Sequence, residues 1–314
     1  MRIVSLLPSA TEILVALGLD REIVGVSHEC DFPPQARGKP AVIHSRLPHD
    51  APAIEIDRLV REYVARGESL YSVDADLLEE LQPDLIVTQD LCHVCAASPD
   101  DLATVLTRFE RPPGVLCLNP QDLGDVWRDI LAVGEATRRS PEAEALLEEI
   151  GLHLGLLEQQ LDSSAHRPRV AFLEWLEPFY AGGHWVPEMI RFAGGEDVLG
   201  SPARPSFRVP LQDIVEAEPE ILLIAPCGYS AKQSREEYQA LDLPDQWNAI
   251  PAVRDNCVYA LEAGSYFSRP GPRLVTGIEI LAKLFQPPVT VSQEAESAIL
   301  RIPSEPAARR AASA

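Results

Sequence analysis

A chain of 314 residues, 46% of them hydrophobic, holds enough apolar material for a full core, and its length points to two domains or lobes rather than one. Its 48 acids against 27 bases leave a net charge of −21, which repels phosphate backbones and anionic lipid surfaces and so argues against nucleic-acid and membrane-surface partners. The longest basic cluster, Arg309-Arg310, lies in the small and polar stretch EPAARRAASA, which reads as a disordered tail.

The opening MRIVSLLPSATEILVALGLD has one positive charge and a short apolar run that Pro8, Ser9, Thr11 and Glu12 interrupt before a signal-peptide core is complete. It therefore reads as mature structure. No run approaches the roughly eighteen apolar residues of a membrane helix, and no cysteine stands where a bacterial lipid anchor attaches. The expected compartment is the cytoplasm, where six cysteines read as thiols or ligands rather than as a disulfide framework.

From the N-terminus, RIVSLL reads as a strand, TEILVALGL as a helix, EIVGVS as a strand, a segment ending in LLEELQ as a helix, and DLIVTQ and GVLCLN as strands. Strand–helix alternation implies a parallel sheet wound with helices. From Gln121 to Ala165 the pattern is helical throughout, with a break at Ser140-Pro141. A second alternating region follows: the strand RVAFLEW, helices near PEMIRFAGG and LQDIVEAE, the strands EILLIAP and NCVYAL, and a final helix RLVTGIEILAKLF. The halves echo one another, since LLEELQPDLIVTQ and DIVEAEPEILLIAP share a helix, a proline followed by an acid, and an apolar strand. The expected organisation is an N-terminal α/β lobe over 1–120, a helical connection over 121–165, a C-terminal α/β lobe over 166–287 and a tail over 288–314.

Chemistry-bearing residues cluster just past strand ends. EIVGVSHEC puts His28 and Cys30 there, DLIVTQDLCHVC does the same for Cys92 and Cys95, and EILLIAPCG for Cys227. Ligands of open parallel α/β sheets bind beyond the carboxyl ends of the strands, so these segments belong to binding edges. Cys117 and Cys257 lie inside apolar runs and read as core cysteines. In AGGHWVPE, glycines lead to His184, Trp185 and a helix beginning near Pro187. Trp175, Phe179 and Tyr180 add flat apolar surface, either to a site or to a core. GSYFSRPGPRLV is a stiffened loop that brings Tyr266, Phe267 and Arg269 ahead of the last helix, with Arg273 following; a surface charge or an internal ion pair is the plainer reading of the two arginines.

No GxxxxGK[ST], GxGxxG, GxSxG or HExxH pattern is present. A thiol nucleophile at Cys92 or Cys227 with His28, His93 or His184 as base lacks any supporting local pattern, so the chain is expected not to be an enzyme.

Several of these stretches, MRIVSLLPSATEILVALGL, IVGVSHECDFPP, PDLIVTQDLCHVCA, FLEWLEPFYAGGHWVPE, PCGY and YFSRPGPRLVTGIEIL, resemble the cobalamin-binding proteins of the substrate-binding class with a long interlobe helix, whose members also serve iron siderophores and haem. The likeness runs from Met1 to about Phe285. It implies two Rossmann-like lobes, a nearly rigid connecting helix and a ligand held between the lobes. The resemblance also implies a docking glutamate on each lobe for a membrane transporter. The matching positions are Asp76 and Gln212, so one carboxylate is shortened and the other replaced, and docking to an ABC transporter is doubtful on this reading.

A corrin ring has two broad apolar faces with amides around its edge, and suits aromatic walls with neutral hydrogen-bonding groups, for which Ser9, Gln89, Tyr229 and Tyr266 are candidates. Haem and ferric siderophores carry anionic groups and call for converging cations, of which the strand ends offer few beyond Arg269 and Arg273. The expected ligand is cobalamin or a related corrinoid, held by Ser9, His28, Cys30, Gln89, Cys92, Cys95, Trp175, His184, Trp185, Cys227, Tyr229, Tyr266, Phe267 and Arg269. For Cys92 and Cys95 a pocket wall comes first. A metal site ranks second, taking zinc or iron on Cys30, Cys92, Cys95 and Cys227, and a redox pair ranks third.

Overall fold

The computed structural model of the protein describes residues 1–48, 51–89 and 99–303. The chain divides into two compact units, Met1–Leu152 with Pro270–Pro272, and His153–Arg269 with Arg273–Ala314. The first unit contains, in order, β1 (Ile3–Ser5), α1 (Pro8–Ala16), β2 (Ile23–Ser27), β3 (Ala41–Ser45), α2 (Ala53–Arg66), β4 (Tyr71–Val73), α3 (Ala75–Leu81), β5 (Leu85–Gln89), α4 (Pro99–Leu106), β6 (Gly114–Leu118) and α5 (Leu123–Thr137). The long helix α6 (Ser140–Glu158) then carries the chain across the division.

The strands of the first unit form one sheet in the order β4-β3-β2-β1-β5-β6. All neighbours are parallel except β4, which runs antiparallel to β3. Ile3, Val4 and Ser5 of β1 are all buried, as a central parallel strand requires. Pro8 opens α1, where its fixed φ suits the helix and its missing N–H costs nothing, and Gly18 at φ 74° supplies the left-handed residue just past the helix end. Val4, Leu6, Val42, Leu78, Ile86 and Leu102 close one core of this unit. The Asp122 side chain caps α5 by accepting from the Asp125 N–H, and Arg138 at φ 60° reverses the chain before α6, next to the expected break at Ser140-Pro141.

The second unit contains β7 (Arg169–Leu176), β8 (Phe179–Ala181), α7 (Val186–Phe192), β9 (Glu196–Asp197), β10 (Phe207–Arg208), α8 (Leu211–Glu216), β11 (Ile221–Ile224), α9 (Ala231–Ala240), α10 (Pro251–Arg254), β12 (Val258–Leu261), α11 (Ala263–Tyr266), α12 (Leu274–Phe285), α13 (Gln293–Ser297) and β13 (Ile299–Arg301). Its sheet runs β10-β8-β7-β11-β12-β13, with β9 also on β7. The expected α/β class with two sheets and a long helix between them in sequence is the one adopted, with two corrections.

The second sheet is mixed rather than parallel. FLEWLEPFYA folds back on itself as the antiparallel hairpin β7–β8, and β10 and β13 also run antiparallel to their neighbours. Nor does a tail begin at residue 288. The segment that follows α12 forms α13, capped by Ser292, and β13, which pairs with β12, while Ile302 packs into the core around Trp247, Leu222, Ile224 and Ala260. The short β13 lacks an alternating pattern long enough to read in advance. Among the described residues no helix is long and apolar enough to cross a membrane.

Candidate functional site

Each sheet has one place where successive strands leave in opposite directions. In the first it is β1, with β2 on one side and β5 on the other; in the second it is β7, with β8 and β9 on one side and β11 on the other. The crevice beyond the carboxyl ends at such a switch point is where an open α/β sheet takes ligands. The residues following β1, β2 and β5, and those following β7, β8 and β11, are the candidate edges.

The first edge is a compact polar cluster. Ser5 donates through Oγ to the Leu7 carbonyl at 3.1 Å, the Thr11 hydroxyl donates to Ser5 Oγ at 2.8 Å, and Thr11 Oγ1 lies 3.1 Å from Cys30 Sγ. Ser9, Cys30 and Gln89 are all buried here. His28 is half-buried; its Nδ1 donates to the Ile43 carbonyl at 3.1 Å and its ring packs near His44 and Tyr71, which fastens the β2 end to β3. Cys92 and Cys95 lie outside the described residues, so their roles as wall, ligands or redox pair stay as expectations. Cys30 and Cys227 belong to different units, and among the described residues no group of three or more His, Cys, Asp or Glu side chains is gathered in a way that suits a metal ion.

The second edge is aromatic. Trp175, at the end of β7, meets Tyr229 edge-on, with ring centroids 5.7 Å apart at 70°. Among the described residues the buried Nε1 of Trp175 has no hydrogen-bond partner, and neither does the buried Nδ1 of His184. Burial pushes the Tyr229 phenol up, with a further contribution from the Glu237 carboxylate, and pushes the His184 imidazole down, so that His184 is neutral at pH 7. Cys227 is exposed just past β11. Glu174, which sequence reasoning passed over, ties this edge together: its Oε1 accepts the Gly183 N–H at 3.4 Å and its carbonyl accepts the Cys227 N–H at 3.0 Å. The signal was present in RVAFLEW, where Glu174 is the first polar residue after the apolar run. His184 is held at φ 50° by two backbone bonds, its N–H to the Arg204 carbonyl at 2.6 Å and its carbonyl from the Ala203 N–H at 3.1 Å.

Three expected contacts turn out to be framework. Trp185 is only 4% exposed, and its indole N–H is committed to the Phe267 carbonyl at 2.8 Å, so it offers no open face; its ring stacks on His184 at 5.5 Å. Phe267 is buried against Phe172 with centroids 5.3 Å apart. Tyr266 donates its hydroxyl to Glu294 Oε1 at 2.7 Å under the Arg273 guanidinium, and burial with that carboxylate raises its phenol strongly. The cause is that GSYF is not an open loop. It forms α11, whose Gly264 lies so close to Gly228 that a Cβ there would approach the Gly228 carbonyl oxygen to 2.9 Å. Arg269 is partly buried at the end of this segment. The two cysteines expected in cores are also misplaced: Cys117 is exposed because β6 is the outer strand of its sheet, and Cys257 is half-buried ahead of β12.

Asp76 is exposed on α3 and paired with Arg108 at 2.6 Å, and Gln212 on α8 donates to Glu216 at 2.8 Å. Asp213 and Glu216 flank Gln212 as exposed acids, so α8 keeps surface carboxylates and the doubt about transporter docking finds no support in this helix.

The chain matches the periplasmic binding protein family model over residues 3–263. It is 24% identical over 288 residues to a vitamin B12-binding protein of Vibrio parahaemolyticus, spanning 91% of this chain and 89% of that one. Among solved structures it is similar to the periplasmic vitamin B12 binding protein BtuF of Vibrio cholerae, with a TM-score of 0.65, 20% identity and coverage of 91% and 96%. It is likewise similar to a periplasmic haem binding protein of Pseudomonas aeruginosa, with a TM-score of 0.68, 18% identity and coverage of 96% and 97%.

Proposed function

We propose that this chain, which belongs to the periplasmic binding protein family and is a substrate-binding protein rather than an enzyme, takes a cobalamin-like corrinoid as its ligand. The observation that carries the reading is the Trp175–Tyr229 pair at the β7 switch point, an apolar aromatic corner whose buried indole N–H has no partner among the described residues. A corrin supplies a broad apolar face and, around it, neutral acceptors for that N–H. The B12-binding relative from Vibrio parahaemolyticus supports the same ligand class. Haem, for which the Pseudomonas aeruginosa neighbour is named, carries carboxylates, whose charge calls for converging cations rather than an aromatic edge.

The test is a titration of the full chain with cyanocobalamin and, separately, with hemin, followed by tryptophan quenching and by the ligand's visible spectrum. Saturable binding of cyanocobalamin, weakened by Trp175→Ala by about 1 to 3 kcal/mol, the usual cost of losing an aromatic anchor, is the expected result. Hemin binding with no measurable cyanocobalamin binding would assign the chain to the other ligand class.

A further inference from the structure

We propose that Trp175 Nε1 and His184 Nδ1 read neutral carboxamide groups at the margin of the ligand, so that this edge selects an amidated macrocycle over one bearing carboxylates at the same positions. The inference rests on the corrinoid reading and deepens it. Buried polar atoms in folded proteins are nearly always paired, so two on one sheet edge that have no partner among the described residues mark places where a ligand completes the bonding.

The two atoms belong to one construction. Trp175 follows Glu174 on β7, the Glu174 carboxylate accepts the Gly183 N–H, and His184 follows Gly183. The indole N–H can only donate. A neutral imidazole presents one donor and one acceptor, and burial holds His184 in that neutral form. A carboxamide matches this pair of demands, because its oxygen accepts and its nitrogen donates. A carboxylate would satisfy Trp175, but its natural partner at His184, a charged imidazolium, is opposed by burial. Arg204, which approaches His184 through its carbonyl, carries its own side chain exposed to solvent.

The backbone is built for this placement. Gly183 lies against residues 204–206 so closely that a Cβ would come within 2.7 Å of the Pro205 carbonyl carbon, and the same stretch accepts the His184 N–H. His184 is therefore pinned at a left-handed φ, with its ring stacked on the buried Trp185.

The experiment titrates the full chain with dicyanocobinamide, whose ring margin carries carboxamides, and with dicyanocobyrinic acid, which carries carboxylates in their place. Cyanide on both faces of cobalt in each ligand removes metal ligation from the comparison. The amidated ligand is expected to bind about tenfold or more tightly, since a site with buried polar groups rejects a ligand that leaves them unpaired. Trp175→Phe and His184→Gly, the latter tolerating the positive φ, are each expected to reduce that ratio by about threefold or more. Equal or reversed affinities in the parent, or a ratio unchanged in both variants, overturn the amide readout and leave the corrinoid reading standing. Failure of both macrocycles to bind overturns the two together. If His184→Gly melts early, Trp175→Phe, which keeps an aromatic ring and loses the N–H, decides the matter alone.

Discussion

Trp185 stands next to a candidate ligand contact in sequence yet is framework in the fold, and replacing it distinguishes the two roles. Its side chain is 4% exposed and its N–H satisfies the carbonyl of Phe267, itself 2% exposed. Trp185→Phe leaves that carbonyl without a donor, at a cost of about 1 to 3 kcal/mol, and Trp185→Ala adds a cavity, bringing the loss to about 3 to 5 kcal/mol. In urea, with a slope of about 2 kcal/mol per molar, the alanine variant should shift the unfolding midpoint down by about 1.5 to 2.5 M. Far-ultraviolet circular dichroism follows the transition without depending on the altered indole. The folded fraction of Trp185→Phe, which keeps an aromatic ring against His184, should bind cyanocobalamin within about threefold of the parent, a difference below about 1 kcal/mol. Trp175→Ala should behave in the opposite way, losing affinity while its midpoint moves little. A Trp185→Ala protein with an unchanged midpoint and abolished binding would refute the assignment of Trp185 to the framework.

Gly183→Ala should force the backbone at Arg204 to Ser206 outward, because the added Cβ meets main-chain atoms that cannot swing aside. The expected cost is about 1 to 3 kcal/mol, read as a fall in melting temperature of about 2–4 °C per kcal/mol, and an unchanged melt would show that this loop yields freely. Asp129 on α5 is half-buried with Oδ2 unpartnered among the described residues, and burial, helped by the Asp125 carboxylate, raises its carboxyl to about 7. Because the folded value lies above the unfolded one of about 3.9, the stability it contributes is full below pH 4 and is lost as pH rises through about 7. Relative to Asp129→Asn, the parent should therefore lose about 2 kcal/mol between pH 5 and pH 8 once partial exposure is allowed for, and identical pH profiles in urea unfolding would contradict the assignment.

Much of the architecture was legible because its signals are local. RIVSLL, EIVGVS, DLIVTQ, RVAFLEW and EILLIAP are apolar runs of strand length, and the α/β alternation with a helical middle follows from them. The elements that escaped are those whose sequence does not reveal its partner. β3 and β4 are short and interrupted by His44 and Ser72, and β8, β10 and β13 exist only as antiparallel additions to a sheet built by other strands. The site divides along the same line. That His28, Cys30, His184 and Cys227 follow strand ends could be read from spacing, and the ends of parallel strands are where ligands bind. Whether a given aromatic at such an end faces out could not, because one residue of displacement decides it. Trp175 is the penultimate residue of β7 and its N–H has no partner among the described residues, whereas Trp185, one residue beyond His184, turns its N–H onto a carbonyl supplied 82 positions later in the chain. A contact at that separation leaves no trace in either local pattern, so AGGHWVPE does not reveal that its tryptophan is committed to the framework, and the different surroundings of the two tryptophans are a property of the packed unit alone.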